Sequence, residues 1–135
     1  MLPMPYVNYI AVAVSAIAAM VVGYIFYSPY LFGNMWQKLS KMKPGAMTKS
    51  YMPMVVAYIG AVVTAYVLSA ILSYSQSRGV IEAATTAFIV WLGFIATTVV
   101  IDDQFTDKPM QLTLLNAAHH LVSIVTIAVV LAYMA

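Results

Sequence analysis

Cysteine is absent from the chain. That excludes structural disulfides and thiolate metal sites, and it leaves the redox compartment unreadable. Charge is nearly absent as well: 7% of the 135 residues are Asp, Glu, Lys or Arg, against about 25% in an ordinary globular domain. The few charges are segregated, so residues 1–37, 50–77, 83–101 and 109–135 carry none. Missing too are a His-Glu-x-x-His pair, a Gly-rich phosphate loop, a serine beside a plausible base and a pair of deep carboxylates. The sequence therefore offers no hydrolytic or phosphoryl-transfer signature and reads as a non-enzyme. Residues 1–6 hold no basic side chain ahead of the first apolar run, so the first helix is expected to be retained rather than cleaved as a signal peptide.

What the chain does have is apolar surface. Of its residues 64% are hydrophobic, and a chain this short has too little polar sequence to cover them. Each charge-free run supplies the ~20 residues needed to cross a hydrocarbon core ~30 Å thick. The runs are continuously apolar, without the two-residue alternation of a membrane barrel, and helices satisfy their own backbone groups as lipid requires. The expected fold is all-α and polytopic, a single domain over 1–135. Its four transmembrane helices lie near 7–27, 52–73, 81–101 and 110–133, arranged as two antiparallel hairpins. A short helix near 29–42 carries Leu31, Phe32, Met35, Trp36, Leu39 and Met42 on one stripe and Lys38 and Lys41 elsewhere, a pattern suited to the membrane interface.

Small residues recur every fourth position. Ala11, Ser15, Ala19 and Gly23 mark the first span, Ala57, Ala61, Ala65, Ser69 and Ser73 the second, and Gly93 and Thr97 the third. Such stripes let helix backbones approach closely, within a monomer or between subunits. At the exit of the first span, Tyr27 and Trp36 suit the headgroup level, and Ser28-Pro29 reads as a helix restart. Lys38, Lys41, Lys43 and Lys49 fall in the first connection and Lys108 in the third, while the second holds Arg78. The basic bias puts the first and third connections in the cytoplasm and both termini outside. Asp102, Asp103 and Asp107 are expected in a solvated connection, with Thr106 or Asp107 capping the next helix. Arg78 and Glu82 are expected to form an ion pair at the opposite rim.

The best functional candidates are Asn116, His119, His120 and Ser123, whose spacing places them on one broad face of the fourth span. At ~1.5 Å per residue, His119 lies roughly 14 Å from the start of that helix, near the bilayer middle. Ionisable groups at that depth normally face a bundle interior or a cavity. Three roles fit them: packing through hydrogen bonds, a path for protons, cations or a small solute, or ligation of a metal or haem. Adjacent histidines diverge by about 100° on a helix, so one ion is poorly gripped by both, and no cofactor is expected. The ten tyrosines sit mostly at interfaces, but Tyr24, Tyr58 and Tyr66 lie deeper, and Tyr24 or Tyr66 is the expected companion of the histidines. The ten methionines read as adaptable packing, and the lysines as contacts to anionic lipid rather than to nucleic acid.

The run Gly23-Tyr-Ile-Phe-Tyr-Ser-Pro-Tyr-Leu-Phe-Gly-Asn-Met-Trp36, with Trp91-Leu-Gly-Phe94 and Asn116-Ala-Ala-His-His-Leu121, resembles the signature of the bacterial membrane family called domain of unknown function 1761. The resemblance covers nearly the whole chain in order. Its most specific piece is Tyr-Ser-Pro-x-Leu-Phe-Gly, and Phe26 stands where family members commonly carry Trp. It implies a small four-helix membrane protein and no established reaction. A site joining its two signature regions would bring Tyr27 to His120. From sequence, then, the protein is expected to be a non-enzymatic scaffold of the bacterial inner membrane, a homo-oligomer or a subunit of a larger membrane complex. The runner-up is a small channel or transporter built on the polar face of the fourth span.

Overall fold

In the computed structural model, residues 7–28, 30–40 and 51–135 are described. Pro29, Lys41, Lys43 and Lys49 lie outside them. The order is α1 (Tyr9–Phe26), α2 (Gly33–Ser40), α3 (Met52–Tyr74), α4 (Val80–Val90), a π-helical turn (Trp91–Ala96), α5 (Thr97–Phe105) and α6 (Met110–Tyr133). Together α4, the π turn and α5 form one continuous rod. With α1, α3 and α6 it makes four helices among the described residues that are long and apolar enough to cross a membrane, so this is a multi-span membrane protein.

The ends of these helices follow from local chemistry. Asn8 opens α1, its Oδ1 accepting from the Ile10 and Ala11 amides at 3.1 and 3.2 Å, which satisfies donors that the first turn leaves over. Its Nδ2 donates to the Met134 carbonyl at 3.2 Å and so ties the start of α1 to the end of α6. Glu82 Oε2 accepts from the Arg78 amide at 3.3 Å. The expected side-chain ion pair is therefore replaced by a hydrogen bond to the backbone ahead of α4, and Lys108–Asp103 is the one salt bridge among the described residues.

Packing is close because the contact residues are small. α1 lies against α3 and α6, and α4 lies against α6. Ala11, Ser15, Ala16, Ala65, Ala83, Ala87 and Ala128 are wholly buried at these contacts, the lipid-solvated way of bringing backbones together. Hydroxyls within the spans turn back on their own helices: Ser15 donates to the Val12 carbonyl (2.9 Å), Thr85 to Ile81 (2.9 Å) and Thr126 to Val122 (2.7 Å).

Two expectations need correction. Among the described residues Gly93 and Thr97 pack no other helix, which removes the contact within a monomer and leaves only one between subunits: both are exposed, and a Cβ at Gly93 would meet nothing within 4 Å. They belong to the π turn and its exit, where Thr97 and Thr98 donate to the Gly93 and Phe94 carbonyls at 2.9 and 2.8 Å. The acidic segment is not a solvated loop either. The helix continues past Ile101 to Phe105, and Asp103 is buried. Thr106 closes that helix instead of opening the next, donating to the Asp102 carbonyl at 3.0 Å, while α6, with Pro109 at its N-cap, has no side-chain cap hydrogen bond.

Candidate intramembrane site

The site begins where α1 stops. Tyr27 caps its C-terminus, with its amide on the Gly23 carbonyl, and the Ser28 hydroxyl donates to the Ile25 carbonyl at 2.7 Å. The chain then folds back sharply, Phe32 N–H donating to the Phe26 carbonyl (3.0 Å) and Gly33 N–H to Ser28 (2.9 Å). Position 33 must be glycine, since a Cβ there would lie 2.2 Å from the Tyr27 carbonyl oxygen. This reversal sets the rings of α2 on those of α1. Phe32 packs on Phe26 with centroids 4.7 Å apart, and Trp36 meets Tyr27 edge-on at 5.9 Å.

Beneath that stack lies the polar face of α6. The Tyr27 hydroxyl donates to Asn116 Oδ1 at 2.8 Å. Tyr27 also meets the His119 ring at 4.7 Å, Phe26 meets it at 5.4 Å, and His120 follows at 5.4 Å. The two signature regions thus meet, but Tyr27 finds Asn116 and His119 where His120 had been expected. The residues of α6 step by about 100°, which puts Asn116 and His119 under α1 and swings His120 aside. Gly23 makes room for the first imidazole: a Cβ at Gly23 would lie 3.0 Å from His119 Nε2.

The opposite side of the imidazoles opens on a cavity of about 450 Å³ between α1, α3, α6 and the π turn. Gly23, Tyr24, Tyr27, Met54, Ala57, Gly60, Ala61, Thr64, Ile95, His119, His120 and Ser123 are among its lining residues, and none of the described lining residues is charged. Ala57 and Ala61 continue the small stripe that Ala65 buries against a neighbour, and here the same absence of bulk creates space. The polar atoms matter most. The side chains of His119, His120, Ser123 and Thr64 make no hydrogen bond to another protein group among the described residues, whereas the hydroxyls of Ser15, Thr85, Thr97, Thr98 and Thr126 all do. None of the four is sealed off from the surroundings. They lie in the central turns of α3 and α6, where an unmet polar group costs about 1–3 kcal/mol or more.

Other expected residues lie elsewhere. Tyr66 stacks on Tyr9 at 6.3 Å and takes no part in the cavity. Ser69 and Ser73 line a separate cavity of about 390 Å³ with Asn8 and Arg78. Among the described residues no group of three or more His, Cys, Asp or Glu side chains is placed to hold a metal.

Two supports were not read from sequence. Trp91 Nε1–H donates to the Ala117 carbonyl at 2.9 Å, pinning the π turn to α6 beside Asn116; π turns recur at functional sites. Asp103 Oδ2 accepts from the buried Thr113 hydroxyl at 2.7 Å, with Lys108 Nζ 3.7 Å from Oδ1. This clasp holds α5 to the start of α6, one turn below Asn116. Thr113→Val keeps the shape but leaves the carboxylate short of a donor, a loss of about 1–3 kcal/mol. Thermal unfolding in detergent should show a clear drop for Thr113→Val and near wild-type behaviour for Thr113→Ser.

A model of the family described as Protein of unknown function (DUF1761) matches residues 10–132. No curated protein matches the chain, and no solved structure does.

Proposed function

The chain belongs to the DUF1761 family, and from that premise we propose that it is a small transporter or channel subunit that holds an uncharged, hydrogen-bonding solute at His119, His120, Ser123 and Thr64. One observation carries this reading: side chains without a protein partner among the described residues converge on one cavity at mid-span whose described lining is uncharged. The cavity volume falls in the range of small-molecule sites, which are largely apolar with a few placed polar groups. An ion is disfavoured because no described lining side chain offsets a charge. The non-enzymatic scaffold favoured by sequence alone leaves these groups without a role.

The topology proposed with it has α1 with α3 and α4–α5 with α6 as antiparallel hairpins, α2 along the inner surface of the bacterial cytoplasmic membrane and both termini outside. The cysteine-free chain suits a direct check. Ser77→Cys should react with a membrane-impermeant maleimide added to intact cells, and Asp107→Cys should react only after permeabilisation. The reverse pattern inverts the topology.

Transport is tested by stopped-flow light scattering of proteoliposomes, with urea, glycerol and acetic acid as uncharged probes and pyranine-reported proton flux alongside. At least one probe should cross faster than in protein-free vesicles, and His120→Ala should slow it. Rates equal to empty vesicles for every probe return the protein to the scaffold reading.

A further inference from the structure

A second recess lies on the other side of α6 and shares none of the polar groups of the solute cavity. It is a groove of about 740 Å³ between α2 and the first half of α6. Phe32, Met35 and Leu115 belong to its apolar lining, Asn34, Lys38 and Gln111 supply its polar groups, and no acidic residue lines it. We infer that this groove binds one anionic glycerophospholipid, an acyl chain lying along α6 and the phosphate meeting Lys38, Asn34 and Gln111.

The dimensions suit this occupant. From Gln111 to Ala118, both in the lining, α6 rises about 10 Å. The groove therefore runs from headgroup level through roughly the outer third of a ~30 Å core. The chemistry at its polar end suits it as well. Lys38, Asn34 and Gln111 all present N–H donors, which match phosphate oxygens. Lys38 lies in the last turn of α2, where the helix stops and its side chain is exposed. The sequence around it is basic: residues 1–81 contain no Asp or Glu, Lys38, Lys41, Lys43 and Lys49 fall within a dozen positions, and Asp107, which lines the neighbouring recess with Trp36 and Leu39, is accompanied there by Lys108. Basic clusters beside a membrane helix attract anionic lipid. The groove adds an apolar slot that fixes where one such lipid sits.

The test uses the full-length protein in nanodiscs of equal phosphatidylglycerol and phosphatidylcholine, followed by native mass spectrometry of the lipids that stay bound. Wild type should retain phosphatidylglycerol preferentially. Lys38→Ala should weaken that preference about fivefold, and Lys38→Glu should abolish it. Arg78→Glu, an equal change of net charge at the opposite rim, should leave it intact. Ala118→Phe, which fills the groove, should reduce retention of both lipids. Equal retention of the two lipids by wild type, as expected if a partner protein's helix fills the groove, overturns the inference. So does an Arg78→Glu loss as large as that of Lys38→Glu, which would mark a net-charge effect. Solute permeation is independent of these outcomes.

Discussion

Alanine at position 33 is expected to break the joint between α1 and α2. The added methyl would fall 2.2 Å from the Tyr27 carbonyl oxygen and 2.8 Å from the Ser28 carbonyl group. Those are backbone atoms, so no side-chain rotation relieves the clash, and the chain reversal must open. Overpacking of this kind costs about 1–3 kcal/mol and sometimes more. Here it also pulls Phe32 off Phe26 and Trp36 off Tyr27, the stack that seats Tyr27 over His119. In a Trp91→Phe background, Trp36 is the single tryptophan, since the chain has two. Its emission should shift to the red in Gly33→Ala, and the thermal midpoint in detergent should fall. Unchanged emission and midpoint would mean that the reversal is not as tight as described.

The second large effect separates the two imidazoles. His119 is half-buried, hemmed by Phe26, Tyr27 and Gly23. His120 is exposed, its ring turned to the cavity. His119→Ala should remove a packed ring and lower stability by roughly 2–4 kcal/mol, the scale of large-to-small changes in a core. His120→Ala should leave the unfolding midpoint nearly unchanged and cut permeation of the responsive probe about tenfold, the factor that corresponds to one lost hydrogen bond near 1.4 kcal/mol. Thr64→Val should act like His120→Ala for the same reason, because the Thr64 hydroxyl has no protein partner to lose among the described residues. A His120→Ala protein that unfolds early and permeates normally would exchange the two roles.

Much of this architecture was legible. Four charge-free runs in so short a chain admit few solvents other than lipid, and the i, i+3, i+4, i+7 spacing of Asn116, His119, His120 and Ser123 marks one helical face without reference to its neighbours. The small stripes are expected from sequence to pack helices, yet the same residue type packs tightly at Ala65 and leaves open space at Ala61 and Ala57. Which outcome holds depends on how the helices diverge, and local sequence does not carry that. Thr64 was invisible for a related reason. A lone mid-span threonine usually donates to its own backbone, as Thr85 and Thr126 do, and only the cavity beside it makes the exception meaningful. Asp103 was misread because three nearby carboxylates resemble a solvated turn. Its burial depends on Thr113, ten positions on. The π turn left no trace, since Trp91–Ala96 continues the apolar run without interruption.

The most direct test exploits the presence of two histidines. With ¹⁵N-histidine the whole protein contributes four ring nitrogens, and magic-angle-spinning spectra in bilayers can record which of them contact mobile protons of water or added solute. His120 should show such contact and His119 should show a ring fixed against tyrosine, with His120→Ala assigning the signals. If neither imidazole sees water or solute, the face is dry packing and the cavity holds no solute; that result contradicts the account at its centre.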